Sequence, residues 1–132
     1  MSKPVKETHW GHPIAVWECA RQQMRAELVA RARSRSTVSY SELCEAVSVA
    51  RFRPYSWAFM ALLDEVCRDE DARTGVVLAT LVVRKDTGRP GEGYFSWAER
   101  EGARFEDRES FWSDQAEAVW AAYGPTGAQT SG

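Results

Sequence analysis

The chain has 132 residues, of which 44% are hydrophobic, and its formal net charge at pH 7 is −2. This length and composition allow one domain with a buried core, which excludes a wholly disordered protein. No apolar run approaches the roughly 20 residues of a membrane-spanning helix, and the N-terminal residues lack the apolar core of a secretory signal. Three widely spaced cysteines favour reduced thiols over a disulfide framework, so we expect a cytoplasmic protein.

The charge is distributed unevenly along the chain. Residues 1–55 carry 9 basic and 5 acidic side chains, whereas residues 56–132 carry 8 basic and 14 acidic ones. A slightly acidic protein with this distribution can still present a basic face, and a basic face attracts the phosphates of nucleic acids.

The first part of the chain is predicted to be helical, with one short exception. Residues 1–11 lack periodicity and are expected to form a flexible arm. The run from Ile14 to about Arg33 has no glycine or proline, and its apolar residues recur at intervals of three and four, which predicts a helix. Residues 37–40 are short and β-prone, and Ser41 is the expected N-cap of a brief second helix.

A third helix is predicted from about Tyr55 to Glu70. Pro54 and Ser56 are typical of a helix start. The N-terminal side of this helix is preceded by Arg51 and Arg53, whereas acidic residues crowd its C-terminal half.

The segment from Leu78 to Phe95 is predicted to form a β-hairpin. An apolar, β-branched run leads into a loop with three glycines and one proline, and the aromatic pair Tyr94-Phe95 would begin the return strand. Two further helices are expected, at 97–102 and 107–123, followed by a disordered tail at 125–132.

This order of elements (helix, short strand, helix, helix, hairpin) is that of a winged helix-turn-helix. The predicted class is therefore α+β, mostly helical, with residues 12–124 forming one winged-helix domain that carries two C-terminal helices. In this fold the third helix reads the major groove and the wing contacts the backbone. The candidate nucleic-acid-binding residues at the third helix and in the wing are Arg51, Arg53, Tyr55, Ser56, Arg84, Lys85, Thr87 and Arg89.

The segment Thr37-Val38-Ser39-Tyr40-Ser41-Glu42-Leu43, together with the later basic strand and glycine-containing loop, resembles the DNA-binding domain of the O6-alkylguanine alkyltransferase and alkyltransferase-like family. The resemblance covers about 60 residues and implies a winged helix that binds duplex DNA. The family's reactive Pro-Cys-His-Arg signature is absent, so alkyl transfer is not implied. The hairpin segment also resembles the wing of small uncharacterised bacterial winged-helix proteins.

A protein-interaction module is the alternative function. Trp112, Trp120 and Tyr123 in the last helix either close the core against the first helix or anchor a protein partner or a homodimer, since Trp and Tyr are frequent interface anchors.

An enzyme is the less favoured class. The only histidines, His9 and His12, lie in the arm, away from any cysteine that needs a base, and two histidines alone do not make a metal site. We therefore expect no catalytic residues, metal or cofactor.

Overall fold

The computed structural model describes residues 8–124, which contain five α-helices and two pairs of very short strands. The helices are α1 (Ile14–Arg33), α2 (Tyr40–Ala46), α3 (Trp57–Thr74), α4 (Glu92–Arg100) and α5 (Arg108–Tyr123). The strands are β1 (Thr8–His9), β2 (His12–Pro13), β3 (Val38–Ser39) and β4 (Val82–Val83). The prediction of a mostly helical α+β chain with five helices is confirmed. Residues 1–7 and the expected tail at 125–132 lie outside the described residues.

The central element is α1, which contacts α2, α3, α5 and a 3₁₀ helix at Leu78–Leu81 that precedes β4. Its inward face is formed by Trp17, Ala20, Met24, Leu28 and Ala32, each at most 2% exposed. These residues recur at intervals of three and four, so the apolar face predicted from the sequence is the face that the fold buries.

The second helix begins earlier than predicted, because Ser39 caps it and Ser41 does not. The Ser39 hydroxyl accepts the backbone N–H of Glu42 at 3.0 Å, and the Glu42 carboxylate accepts the backbone N–H of Ser39 at 3.0 Å. This reciprocal capping box needs an acidic or amide side chain three residues after the cap. Ser39 has Glu42 at that position, whereas Ser41 has Cys44.

The β-hairpin predicted for the segment from Leu78 to Phe95 is wrong. The apolar run forms the 3₁₀ helix and then β4, which pairs with β3 in parallel. The expected return strand, Tyr94-Phe95, lies inside α4, which therefore starts five residues before the predicted start at Trp97. The described residues thus contain the predicted helices without an antiparallel wing.

The physical reason lies in the burial pattern of α4. Tyr94, Phe95 and Ala98 are all buried, and these positions share one side of a helix, whereas adjacent residues of a strand point to opposite faces. Glu92 in the first turn is favoured by the helix dipole. Pro90 has no N–H to offer to a return strand.

The helix α5 closes the core against α1 and the 3₁₀ helix. Trp112 is 8% exposed and donates its Nε1–H to the carbonyl oxygen of Thr80 at 2.8 Å. Trp120 donates its Nε1–H to a carbonyl oxygen in the loop after α1 at 3.0 Å, and the Tyr123 hydroxyl donates to Glu70. The three residues proposed as anchors for a partner therefore make their polar contacts inside the domain.

Residues 8–13, the last part of the expected arm and the residues that follow it, form the β1–β2 hairpin. The His9 ring lies 2.9 Å from the Glu65 carboxylate and packs edge-on against Trp17. The His12 ring packs against Phe52 with 4.9 Å between ring centroids. Within residues 8–124 no group of three or more His, Cys, Asp or Glu side chains could hold a metal ion.

A buried carboxylate ties three helices together. Glu70 of α3 is fully buried and accepts two hydrogen bonds from Arg25 of α1, at 2.7 and 3.2 Å. It also accepts hydrogen bonds from Arg73 at 2.6 Å and from Tyr123 of α5. Burial raises the pKa of this carboxyl, but the hydrogen bonds from Arg25, Tyr123 and Arg73 outweigh it and hold the pKa at about 2, below the ordinary 4.5.

We expect Glu70→Gln to lower the free energy of unfolding near neutral pH by about 2–3 kcal/mol. Because the folded-state pKa is depressed, ionised Glu70 stabilises the fold above its unfolded-state pKa, and this contribution disappears as the pH falls from 4.5 towards about 2. The variant should therefore lose less of its stability over this range. Urea unfolding at a series of pH values measures both effects. The exposed Glu101→Gln variant is the control, and an unchanged acid profile in Glu70→Gln would contradict the assignment.

We expect Trp112→Phe to lower the free energy of unfolding by about 1–3 kcal/mol, because it leaves the Thr80 carbonyl without its donor and reduces the packed volume. Trp10→Phe, at a tryptophan that is 50% exposed, should change it by less than about 0.5 kcal/mol. Chemical denaturation together with size-exclusion chromatography separates this structural role from partner binding. A Trp112→Phe protein of unchanged stability and altered oligomeric state would support an interface instead.

Candidate nucleic-acid interface

The connection between α2 and α3 presents two arginines on its outer side. Phe52 packs inward against Trp17 and Phe59, with ring centroids 6.1 and 6.5 Å apart. Because Phe52 is anchored inward, its neighbours Arg51 and Arg53 project outward, and both are exposed. No acidic residue occurs in the sequence between Glu45 and Asp64. This stretch therefore contributes positive charge alone.

Tyr55 is held in a left-handed backbone conformation just before α3. The Ser56 N–H donates to the Arg53 carbonyl at 3.1 Å, and Tyr55 has a φ of 68°. With Pro54 at the second position, this is the pattern of a type II turn in which Tyr55 stands where glycine is usual. Such a conformation costs roughly 1–2 kcal/mol for a residue with a Cβ. The Tyr55 ring packs against that of Tyr40 with 4.5 Å between ring centroids, which offsets part of this cost.

The pairing of β3 with β4 brings a second basic segment to the same place. Ser39 lies opposite Val83 in the parallel pair, so Tyr40 and Arg84, the residues that follow them, leave the sheet side by side. Burial is the main reason that the pKa of Tyr40 lies above its ordinary value, and the positive charge of Arg84 opposes the rise. The pKa of Arg84 lies above its ordinary value, mainly because of its hydrogen bonds to Asp86, with a smaller contribution from Tyr55. We call the surface formed by residues 51–56 and the loop 84–90 the basic aromatic face.

The loop 84–90 is closed by its own backbone. The Arg84 N–H donates to the Arg89 carbonyl at 2.8 Å, and the Gly88 N–H donates to the Arg84 carbonyl at 2.8 Å. Gly88 has a φ of 70°, which a residue without a Cβ adopts at little cost. The Thr87 hydroxyl accepts the Arg89 N–H at 3.1 Å, so it is used within the turn.

Two of the three cations in this loop are already paired. Arg84 makes two hydrogen bonds to Asp86, at 3.1 and 2.9 Å, which lower the pKa of Asp86. Arg89 lies 2.5 Å from Glu109 and over the ring of Trp112. Arg89 therefore joins the loop to α5.

Three of the predicted cations stay unpaired. Arg51, Arg53 and Lys85 are exposed, and none of them takes part in an ion pair within residues 8–124. The Ser56 hydroxyl caps α3 by accepting the Phe59 N–H at 3.2 Å. The structure thus brings the two predicted basic segments together, but it assigns internal roles to Ser56, Thr87 and Arg89.

Trp57 lies next to this face and is absent from the candidate residues that the sequence predicts. It is the first residue of α3 and is 83% exposed. The buried stripe of α3 runs through Phe59, Leu62, Leu63, Val66 and Glu70. Trp57 lies two residues before Phe59, roughly 200° around the helix. This position on the side opposite the buried stripe is the sequence pattern that predicts an exposed Trp57.

A groove between α3 and α4 continues from this face. It has a volume of about 600 Å³, and its lining includes Met60 and Tyr40. Its charged lining residues are Asp64, Asp71 and Glu101 together with Arg68 and Arg100, and Arg68 is paired with Asp64. Because charges of both signs line the groove, it does not extend the basic surface.

Two of the three thiols, those of Cys44 and Cys67, are not activated as nucleophiles. Burial raises the pKa of Cys67 to about 12 and that of Cys44 to about 11, so both are protonated near neutral pH. None of the helices described between residues 8 and 124 is both long and apolar enough to cross a membrane.

The comparisons with known proteins returned no match. No protein-family model matches the chain, and neither a curated protein nor a solved structure shows significant similarity to it. Any function therefore has to be inferred from the chain's own residues.

Proposed function

We propose that this protein binds nucleic acid, with duplex DNA as the ligand, through the basic aromatic face and without catalysis. Arg51, Arg53 and Lys85 contact phosphates, and Tyr55 contributes an exposed aromatic edge next to them. Arg84 joins this contact when a phosphate competes with Asp86 for its guanidinium group. The affinity then comes mainly from the neutralisation of phosphate charge.

The observation that carries this proposal is the convergence of two basic segments that lie 30 residues apart in the sequence. The β3–β4 pairing and the Tyr40–Tyr55 ring contact support a single surface that includes both. Three cations on this surface make no ion pair within residues 8–124, whereas most arginines of the helices are paired. Unpaired cations on one face leave their charge available to a ligand.

In this proposal the loop 84–90 has the role of a wing, and α3 has the role of the third helix of a winged helix-turn-helix. The helix order and the position of the loop support that comparison, although the loop returns through a helix where a wing returns through a strand. The alternative class is a protein-interaction module. Because Trp112, Trp120 and Tyr123 are engaged inside the domain, a protein partner would use other aromatic anchors, and Trp57, Tyr55 and Trp10 are exposed.

The first test is fluorescence anisotropy of a labelled duplex at about 50 and about 200 mM salt. Phosphate contacts predict an affinity that falls steeply between these salt concentrations. We expect Arg51→Ala/Arg53→Ala to weaken binding at the lower salt by at least about fivefold and to reduce the salt slope by about two, one for each phosphate contact.

The matched control is Arg33→Ala/Arg104→Ala, which removes two exposed arginines outside the basic aromatic face and leaves the same net charge. This control should bind within about twofold of the wild type if local contacts carry the affinity. An equal loss of duplex affinity in both double variants would mean that the overall charge of the protein, and not this face, governs binding. Absence of binding at the lower salt would refute the proposal and direct attention to a protein partner.

We expect Asp86→Asn to strengthen duplex binding by about twofold to fivefold at low salt, because it frees the Arg84 guanidinium for a phosphate. Asp114→Asn makes the same change in net charge on α5 and should have a smaller effect. Anisotropy titrations of the two variants side by side measure the difference. If both variants bind equally, Arg84 makes no phosphate contact.

A further inference from the structure

The exposed indole of Trp57 has no structural role inside the described part of the chain. Its 83% exposure compares with 2% for Trp17 and 8% for Trp112. Within residues 8–124 its ring packs against no other aromatic ring and lies under no cation, unlike Trp112 and Trp120. An exposed fraction this high leaves at least one face of the ring open to solvent, and an open indole face is a stacking surface.

The surroundings of Trp57 favour an anionic ligand with a flat ring. Arg51 and Arg53 precede it in a stretch without acidic residues, and neither has an ion-pair partner within the described residues. Met60 lies one turn further along the same side of α3 and, like Tyr40, lines the groove. Tyr40 packs against Tyr55, two residues before Trp57. Trp57 therefore lies at the edge of the surface that carries the unpaired cations.

We propose that Trp57 stacks against an unpaired base, so that the preferred ligand is a duplex that carries a single-stranded extension. The inference rests on the proposed function: the basic aromatic face binds the duplex phosphates, and Trp57 binds the first unpaired nucleotide. Stacking on an aromatic side chain is tolerant of base identity, because every base has a π-face. The extension therefore adds affinity without sequence specificity.

The groove that Met60 lines offers no continuous basic track beyond Trp57. Its charged lining residues are Asp64, Asp71 and Glu101 together with Arg68 and Arg100, and Arg68 is paired with Asp64. Proteins that hold a long single strand follow its backbone with a positively charged groove, so one base or a few bases at Trp57 are bound and a long single strand is not guided further.

The experiment compares a labelled blunt duplex of about 15 base pairs with the same duplex carrying an extension of about five nucleotides at its 5′ or 3′ end. Anisotropy titrations at about 50 mM salt give the affinity of each ligand. We expect the wild-type protein to bind at least one extended duplex at least about fivefold more tightly than the blunt duplex, which is the lower end of the contribution of one stacked base.

Trp57→Ala should abolish the preference and leave the affinity for the blunt duplex within about twofold, since the residue is exposed and its removal does not open the core. Trp57→Phe should keep part of the preference, because a smaller aromatic face remains. Trp10→Ala is the matched control, since it removes an exposed tryptophan from the β1–β2 hairpin and should leave the preference intact.

The outcomes separate this inference from the proposed function. Salt-dependent binding of the blunt duplex without any preference for an extension would overturn the role of Trp57 and leave the proposed function standing. A preference that persists in Trp57→Ala would have the same meaning. Binding of neither ligand at low salt would overturn both, and Trp57 would then be the first residue to test as an anchor for a protein partner.

Discussion

The pairing of β3 with β4 is the constraint on which the candidate interface depends. It consists of two residue pairs, Val38 with Val82 and Ser39 with Val83, all of them buried. These four residues join segments that are 44 positions apart, and they determine where the chain leaves the core on both sides. The helix α2 begins at Tyr40 and the loop 84–90 begins at Arg84, and these two starting points lie side by side at the end of the strand pair. Without this pairing, the loop and the start of α3 would share no surface.

The arrangement of ion pairs explains how a chain with a net charge of −2 can carry a basic surface. Arg25 and Arg73 are held by the buried Glu70, and Arg35 is held by Glu117 of α5. The pair between Arg25 and Glu70 connects α1 to α3, and all three pairs neutralise positive charge within the fold. Exposed ion pairs contribute little to stability, but they determine which cations are free. Of the unpaired cations on the basic aromatic face, Arg51 and Arg53 lie in a stretch of sequence without acidic residues.

Helices with one buried face could be predicted from the sequence, and the hairpin could not. The apolar spacing of α1 is set by 3.6 residues per turn, so its inward face follows from local order alone. The apolar run before Arg84 is equally compatible with a strand and with a short buried turn, since periodicity does not distinguish them. Tyr94 and Phe95 are typical of strands by residue type. Whether Tyr94 and Phe95 form a strand or a helix depends on the elements that pack over them, which are the 3₁₀ helix and α5.

The sequence by itself determined the mostly helical α+β class, five helices and the identity of the basic segments, because these follow from periodicity, helix-start signals and residue type. The tertiary structure decided which of those basic side chains are free. Arg89 is held by Glu109, 20 residues later, and no local pattern predicts that contact. It also decided that Trp112 is buried and that Trp57 is exposed. The physical reason is that the burial of an aromatic side chain depends on which elements pack against it, and such packing joins residues that are distant in the sequence.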